Sequence, residues 1–265
     1  MRMQRVLIVT GGGSGIGAAV AAAGAAAGDR VVICGRRKEA LDRVAAETGA
    51  EPRVCDVAAP DEVAGLVEDV VAAHGRLDGI VANAGTLRNG AVLDLSPDDW
   101  DATIRTNLTS VFLLARAALP HLIEAKGSLV TVSSVAALRV PAGVAAYATS
   151  KAGLTMLTQT IAADYGPQGV RANVVCPGWI RTEMSDMEMA LFGEPHGLTR
   201  EEAYDEVTRL VPQRRAGSPA EAAAAIMWLL GPEASYVNGA VLSVDGGTAL
   251  PDPGTVPFDF QVKPR

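Results

Sequence analysis

The sequence predicts an α/β fold, a doubly wound sheet of seven parallel strands with helices on both faces. Three observations carry this. Short runs rich in Val and Ile alternate with longer stretches rich in Ala and Leu, the pattern of repeated β-α-β units. The short runs are apolar along their length instead of at every second residue, as strands covered on both faces are. The chain has 265 residues, 49% of them hydrophobic, enough to bury a large core, and it contains no internal repeat.

Strands are predicted at residues 5–10, 30–34, 53–56, 79–83, 128–133, 171–176 and 240–244. Helices are predicted between them at residues 16–27, 39–48, 60–74, 100–125, 147–165 and 219–230. Residues 182–215 are weakly patterned, and residues 251–265 hold several prolines without periodicity, as a disordered tail or an extended arm on a neighbour would. No linker divides the chain, so residues 1–250 are expected to form one domain.

Composition excludes several classes of function. With 23 basic against 30 acidic residues and a net charge of −7, no nucleic-acid partner is expected, because that contact needs clustered Lys and Arg. No apolar run approaches the length of a membrane span, and the first apolar run, Val6 to Val9, is broken by glycines too early for a secretory leader. Cys34, Cys55 and Cys176 are widely spaced and apart from His at any metal-ligand spacing, so buried thiols, no metal and a cytoplasmic setting are expected.

The first strand runs directly into Gly11-Gly12-Gly13-Ser14-Gly15-Ile16-Gly17, and an Ala-rich helix follows. Glycines permit a sharp turn and close approach of backbone to ligand. A helix N-terminus offers unpaired N–H groups to a pyrophosphate. In this strand–turn–helix context the reading is dinucleotide binding on a Rossmann-like fold.

Other motifs follow in order: Asp56-Val57 after the third strand, Asn83-Ala84-Gly85 after the fourth, and Asn107 in the next helix. Ser133-Ser134 end the fifth strand, Tyr147-x-x-x-Lys151 begins 13 residues after Ser134, Pro177-Gly178 follow the sixth strand, and Val244-Asp245-Gly246-Gly247 close the set. Together with Thr10-Gly11-x-x-x-Gly15-x-Gly17 they resemble the short-chain dehydrogenase/reductase family, over residues 3–248.

Tyr147 and Lys151 share a helix face. A free phenol has a pKa near ~10, and an adjacent ammonium is expected to lower it toward general acid–base work at neutral pH. Such a group serves hydride transfer, in which a carbonyl oxygen gains a proton or an alcohol loses one. The same spacing also suits a plain amphipathic helix with a snorkelling lysine. Ser134 or Ser133, at the carboxyl end of a central strand, could hold the reacting oxygen; the resemblance selects Ser134. No Gly-x-Ser-x-Gly elbow marks either as a nucleophile.

The resemblance further implies that Lys151 binds the nicotinamide ribose and that Asn107 holds a water leading from it; read alone, Asn107 is equally a core amide. Asn83, otherwise a strand-end turn residue, would lie along the adenosine with Ala84 and Gly85. Pro177, Gly178 and Ile180 would hold the carboxamide, Thr182 would sit near the pyrophosphate, and residues 182–215 would form a lid.

A cofactor with a free ribose 2′-OH usually meets a carboxylate about 20 positions past the glycines. Here that position is Gly35, followed by Arg36 and Arg37. A guanidinium suits a 2′-phosphate, so NADP(H) is expected over NAD(H), although two arginines could also simply begin a solvated helix. The expected activity is reduction of a carbonyl or oxidation of a secondary alcohol on a fairly apolar small molecule. Alternatives are a 3-oxoacyl-[acyl-carrier-protein] reductase and a catalytically silent cofactor-binding sensor. The resemblance implies a homotetramer, with a dimer next.

Overall fold

The structure, a computed structural model, describes residues 4–252; most of the expected C-terminal extension lies outside the described residues. The chain runs β1 (Val6–Thr10), α1 (Gly15–Ala26), β2 (Arg30–Gly35), α2 (Lys38–Thr48), β3 (Glu51–Val54), α3 (Pro60–His74) and β4 (Gly79–Ala82). It continues through α4 (Pro97–Ile104), α5 (Ser110–Ala125), β5 (Ser128–Val132), α6 (Ala145–Tyr165), β6 (Arg171–Pro177), α7 (Glu183–Gly193), α8 (Arg200–Val207), α9 (Pro219–Leu230) and β7 (Val241–Val244). All seven strands are parallel, in the order β3-β2-β1-β4-β5-β6-β7, which is the doubly wound arrangement the alternation predicts.

Every residue of β1, β4 and β5 is buried because the pleat sends successive side chains into two different cores. Leu7 and Val9 pack with Val20, Leu41 and Ile226 from α1, α2 and α9. Val6 and Ile8 pack with Val67, Leu114 and Leu154 from α3, α5 and α6. Each large aliphatic side chain so buried is worth about 1.5–3 kcal/mol. The free thiols Cys34, Cys55 and Cys176 are all buried.

Three local expectations need correction. The third strand lies at Glu51–Val54 and not at 53–56; it is the sheet edge, where Pro52 costs no ladder bond, and the chain has left the sheet before Asp56. The helix expected at 100–125 begins earlier, at Pro97, with Ser96 accepting from the Asp99 amide (3.1 Å), and it widens into a π turn at Arg105–Thr109 before α5. The weakly patterned segment 182–215 contains α7 and α8, each opened by a reciprocal capping box, Thr182 with Ser185 and Thr199 with Glu202.

The stretch Pro97–Ala125 is long and apolar enough to cross a membrane by length and composition alone, which sequence inspection by uninterrupted runs does not register. In the fold it is a core helix: Val111, Leu114, Ala118 and Leu122 are buried with residues of α3 and the sheet.

Arg5 and Asp29 fasten the start of β1 to the turn between α1 and β2. The Arg5 Nε and Nη2 donate to the two Asp29 carboxylate oxygens (3.0 and 2.5 Å), and Nη1 donates to the Leu230 carbonyl at the end of α9 (2.8 Å). The Asp29 side chain is only 1% accessible. Asp29→Ala leaves a largely desolvated guanidinium without its counter-charge, so urea unfolding should show a loss of about 3 kcal/mol, enough to lower Tm by roughly 10 °C.

Candidate active site

The site begins where β1 and β4 part, because the helices after them leave on opposite faces and open a crevice between the strand ends. The Thr10 hydroxyl accepts from the amides of Asn83 and Ala84 (both 3.0 Å). The Asn83 side-chain amide donates back to the carbonyls of Thr10 (3.0 Å) and Gly11 (3.3 Å). The glycine turn is thus fixed to the tip of β4. Gly11 has a left-handed φ of 66°, and a Cβ on Gly17 would lie 2.3 Å from the Gly11 carbonyl oxygen, so neither position accepts a side chain.

Helix α1 starts at Gly15 with no acidic residue in its first turn and no side-chain cap from Ser14. Its leading N–H groups therefore face the crevice without a side-chain acceptor, as an anion site requires. Thr182 approaches from the other side: its Cγ2 would stand 3.0 Å from a Cβ on Gly15, while its hydroxyl is engaged in capping α7.

One continuous cleft of about 990 Å³ runs from this turn to the end of β5. Gly11, Gly13, Ser14, Gly15, Ile16, Arg36, Arg37, Asp56 and Val57 line its nucleotide end, followed by Asn83, Ala84 and Gly85. Ser134, Tyr147, Lys151, Pro177, Gly178, Ile180 and Thr182 line the remainder. Of the residues selected from sequence, Gly17 and Asn107 stand behind the wall and not in it.

At the end of β5 the two serines diverge. Ser133 Oγ donates to the Lys151 carbonyl (2.9 Å) and turns into α6. The Ser134 hydroxyl faces the cleft, accepts from the Ala136 amide (3.1 Å) and lies near enough to the Tyr147 phenol to lower its pKa. Geometry thus separates the two hydroxyls in the sense that the family resemblance implies.

Lys151 is buried and donates from Nζ to the Val132 carbonyl (2.8 Å), with Nζ 5.6 Å from the Tyr147 ring centroid. Burial lowers its pKa from 10.5 to about 8. The Tyr147 phenol is shifted upward, first by desolvation and further by the Glu188 carboxylate, against the hydrogen bond from Ser134. This reverses the expected direction. The ammonium is turned toward a carbonyl and weakened by its own burial, so desolvation of the phenol wins.

Asn107 lies in the π turn and is buried. Its Oδ1 accepts from the Thr86 amide (2.8 Å), and its Nδ2 donates to the Thr86 carbonyl (2.9 Å) and to Ser150 Oγ (3.0 Å). It therefore ties the loop after β4 to the helix bearing Tyr147 and Lys151. A Cβ on Gly85 would sit 3.4 Å from Asn107 Oδ1 and 3.5 Å from Lys151 Nζ, so the glycine leaves the approach to the ammonium open.

At the nucleotide end Arg36 is exposed beside Gly35. Arg37 is already engaged, donating to Ser14 Oγ (3.3 Å) and to Glu183 at the start of α7 (2.9 Å).

Comparison with known proteins accounts for this arrangement. Residues 11–249 match the profile described as enoyl-(acyl carrier protein) reductase, and the 3-oxoacyl-[acyl-carrier-protein] reductase FabG of Thermotoga maritima is 35% identical over 94% of this chain and all of its own length. The chain is a short-chain dehydrogenase/reductase. Protein MoaE of Klebsiella aerogenes is 40% identical over 97% of the chain and all of its own length. Among solved structures, the actinorhodin polyketide ketoreductase with NADPH superposes with a TM-score of 0.90 at 32% identity, covering 95% of this chain and 100% of that one. The family binds a nicotinamide cofactor, and this member is an oxidoreductase of CH–OH and C=O groups.

Three residues outside the expected catalytic and cofactor set also shape the site of this short-chain dehydrogenase/reductase. Thr10 clamps β4, Thr86 receives Asn107, and Glu188 reaches the cleft from α7. Only Thr10, at the head of the glycine motif, carries a sequence signal; the other two depend on tertiary placement.

The burial of Lys151 has a measurable consequence. Its amine is depressed from 10.5 to about 8 in the folded protein, so between those values the unfolded chain binds more protons and stability rises with pH. Lys151→Met removes the buried charge at the cost of one hydrogen bond to Val132. At pH 7 it should raise the unfolding free energy by about 2 kcal/mol. That gain should fade as the pH is raised from 8 toward 10.5, as denaturant titrations at several pH values would read.

Proposed function

We propose that this short-chain dehydrogenase/reductase is an NADP(H)-dependent carbonyl reductase or secondary-alcohol dehydrogenase with a small, fairly apolar substrate, and that Tyr147 is its general acid and base. The observation that carries this is the convergence of Ser134, Tyr147 and Lys151 on one cleft with an anion-ready glycine turn. Bound nicotinamide would supply or accept the hydride; the glycine turn, α1, Asp56-Val57, Asn83–Gly85 and Pro177–Thr182 are the residues that would hold the dinucleotide.

The protein's own part is to position an oxygen and move a proton. Ser134 donates a hydrogen bond to the substrate oxygen and fixes it beside the phenol. As carbonyl carbon is reduced, its oxygen becomes an alkoxide, and the Tyr147 O–H delivers the proton. The upward shift of the phenol keeps that proton in place at neutral pH, which suits reduction. In oxidation Tyr147 takes the alcohol proton instead. Lys151, 5.6 Å from the ring centroid, would contact the nicotinamide ribose once the cofactor is bound. Asn107 holds the loop and helix at a fixed separation.

For the cofactor, Gly35 leaves the second strand without a carboxylate, and Arg36 is the guanidinium available to a 2′-phosphate because Arg37 is held by Glu183. The NADPH in the related ketoreductase supports this reading. A homotetramer is supported by Phe112 (48% exposed) and Met156 (63% exposed) on the outer surfaces of α5 and α6. A 3-oxoacyl-[acyl-carrier-protein] reductase is the second reading, favoured by the FabG relatives.

Tyr147→Phe keeps the ring and loses the proton. Turnover of ketones followed by NADPH absorbance should fall about a thousandfold, while NADPH binding measured by fluorescence stays near that of the parent; retained turnover would refute the assignment. Arg36→Asp should reduce the ratio of kcat/KM for NADPH over NADH by roughly tenfold to a hundredfold. A parent enzyme that prefers NADH would overturn the NADP(H) reading.

A further inference from the structure

Helix α7 carries three carboxylates, and two of them are partnered. Glu183 receives Arg37 (2.9 Å). Asp186 accepts from the Tyr204 hydroxyl (2.9 Å) and from Arg200 (3.4 Å). Glu188 lines the cleft on its substrate side with Met184, Leu191 and Phe192, and among the described residues no hydrogen bond or ion pair engages it.

The surrounding cations are all otherwise directed. Lys151 points to the Val132 carbonyl, Arg139 to the Leu138 carbonyl (3.2 Å), and Arg181 to Glu201 (2.7 Å). Arg36 and Arg37 stand at the nucleotide end. A half-buried carboxylate in an apolar wall is costly without a donor; burial alone pushes its pKa up to about 7. It is also near enough to the phenol for its charge to raise the Tyr147 pKa. Glu188 and Tyr147 line one cleft, so a cationic partner that enters it can reach both groups.

We infer that Glu188 is a substrate-recognition residue, and that the substrate carries an ammonium group next to the carbon that exchanges hydride, making it an amino alcohol or the corresponding amino ketone. This rests on the dehydrogenase reading given above. A cation is favoured over a neutral hydroxyl because it cancels the carboxylate's charge as well as donating to it. The apolar residues beside Glu188 then accommodate the rest of the molecule.

Three secondary alcohols of equal shape separate the possibilities: isopropanolamine, propylene glycol and secondary butanol, which present ammonium, hydroxyl and methyl at the same position. Each is oxidised with NADP⁺, the carbinol hydrogen leaving as hydride to form NADPH and the hydroxyl proton leaving through Tyr147. Wild-type kcat/KM for isopropanolamine should exceed that for secondary butanol by at least about tenfold. The ratio should grow from pH 6 to pH 8 as Glu188 ionises about 7. In Glu188→Gln it should collapse toward one, and Glu188→Asp should restore part of it.

Turnover of all three without amine preference, equal preference for propylene glycol, or a ratio unchanged in Glu188→Gln would each overturn the inference and leave the dehydrogenase reading standing. Turnover of none of them, nor of a ketone panel, would instead overturn that reading. Calorimetric titration of the same three compounds into NADP⁺-saturated wild type and Glu188→Gln would then decide Glu188 on affinity alone, the wild type binding isopropanolamine most tightly if the assignment holds and all three alike if it fails.

Discussion

The hydrogen bonds joining Thr10, Gly11 and Asn83 are the constraint on which the rest of the site depends. A doubly wound sheet reverses the direction of its connections between β1 and β4, and the crevice there is a consequence of topology. Topology alone would leave a loose gap between two strand ends. The Thr10 hydroxyl, accepting from two consecutive amides of the β4 tip, and the Asn83 amide, donating to two consecutive carbonyls of the glycine turn, make that gap rigid. The amide nitrogen of Asn83 would lie 2.7 Å from any Cβ on Gly17. The asparagine and the glycine are thus matched: each occupies space that the other leaves.

From this fixed point the chemistry extends along β5 and α6, where geometry and stability are opposed. Lys151 reaches the cleft wall only by being buried, which costs the fold because its ammonium is desolvated. Ser133 gives its hydroxyl to the Lys151 carbonyl, the Val132 carbonyl takes the ammonium, and Asn107 binds Ser150 one residue before the lysine. These contacts hold a strained electrostatic arrangement in register. The π turn around Asn107 belongs to the same construction, since an ordinary helical turn would aim the amide elsewhere.

The sheet was legible because it rests on local signals. The β-branched runs, the glycine turn and the Tyr147-x-x-x-Lys151 spacing are visible without any tertiary knowledge; in the fold they are the strands, the end of β1 and the start of α6. What was not legible depends on neighbours distant in sequence. The π turn carries Asn107, whose partners Thr86 and Ser150 come from distant segments. The family resemblance selects Ser134 over Ser133, but only the fold shows α6 capturing the Ser133 hydroxyl. The Tyr147 pKa rises chiefly because the fold desolvates the phenol, while the Lys151 ammonium turns to the Val132 carbonyl; a four-residue spacing reveals neither. For α7 and α8 the signal was present in Thr182-x-x-Ser185 and Thr199-x-x-Glu202, but the apolar periodicity after those caps is too weak to announce a helix.

The same reasoning explains why nucleotide recognition and substrate recognition differ in how deeply they are written into the chain. On the proposed reading the dinucleotide would be gripped mainly by backbone at strand ends and a helix start, so its signature is a set of glycines that leave room for close approach. The other end of the cleft is lined by side chains of α7, a helix on its rim that contributes no strand to the sheet. Such a helix records its ligand in the chemistry of single residues. Glu183 and Asp186 satisfy their charges within the protein and describe only how α7 is anchored. Glu188 does not, and the inference of a cationic substrate rests on that difference between it and its two neighbours on α7.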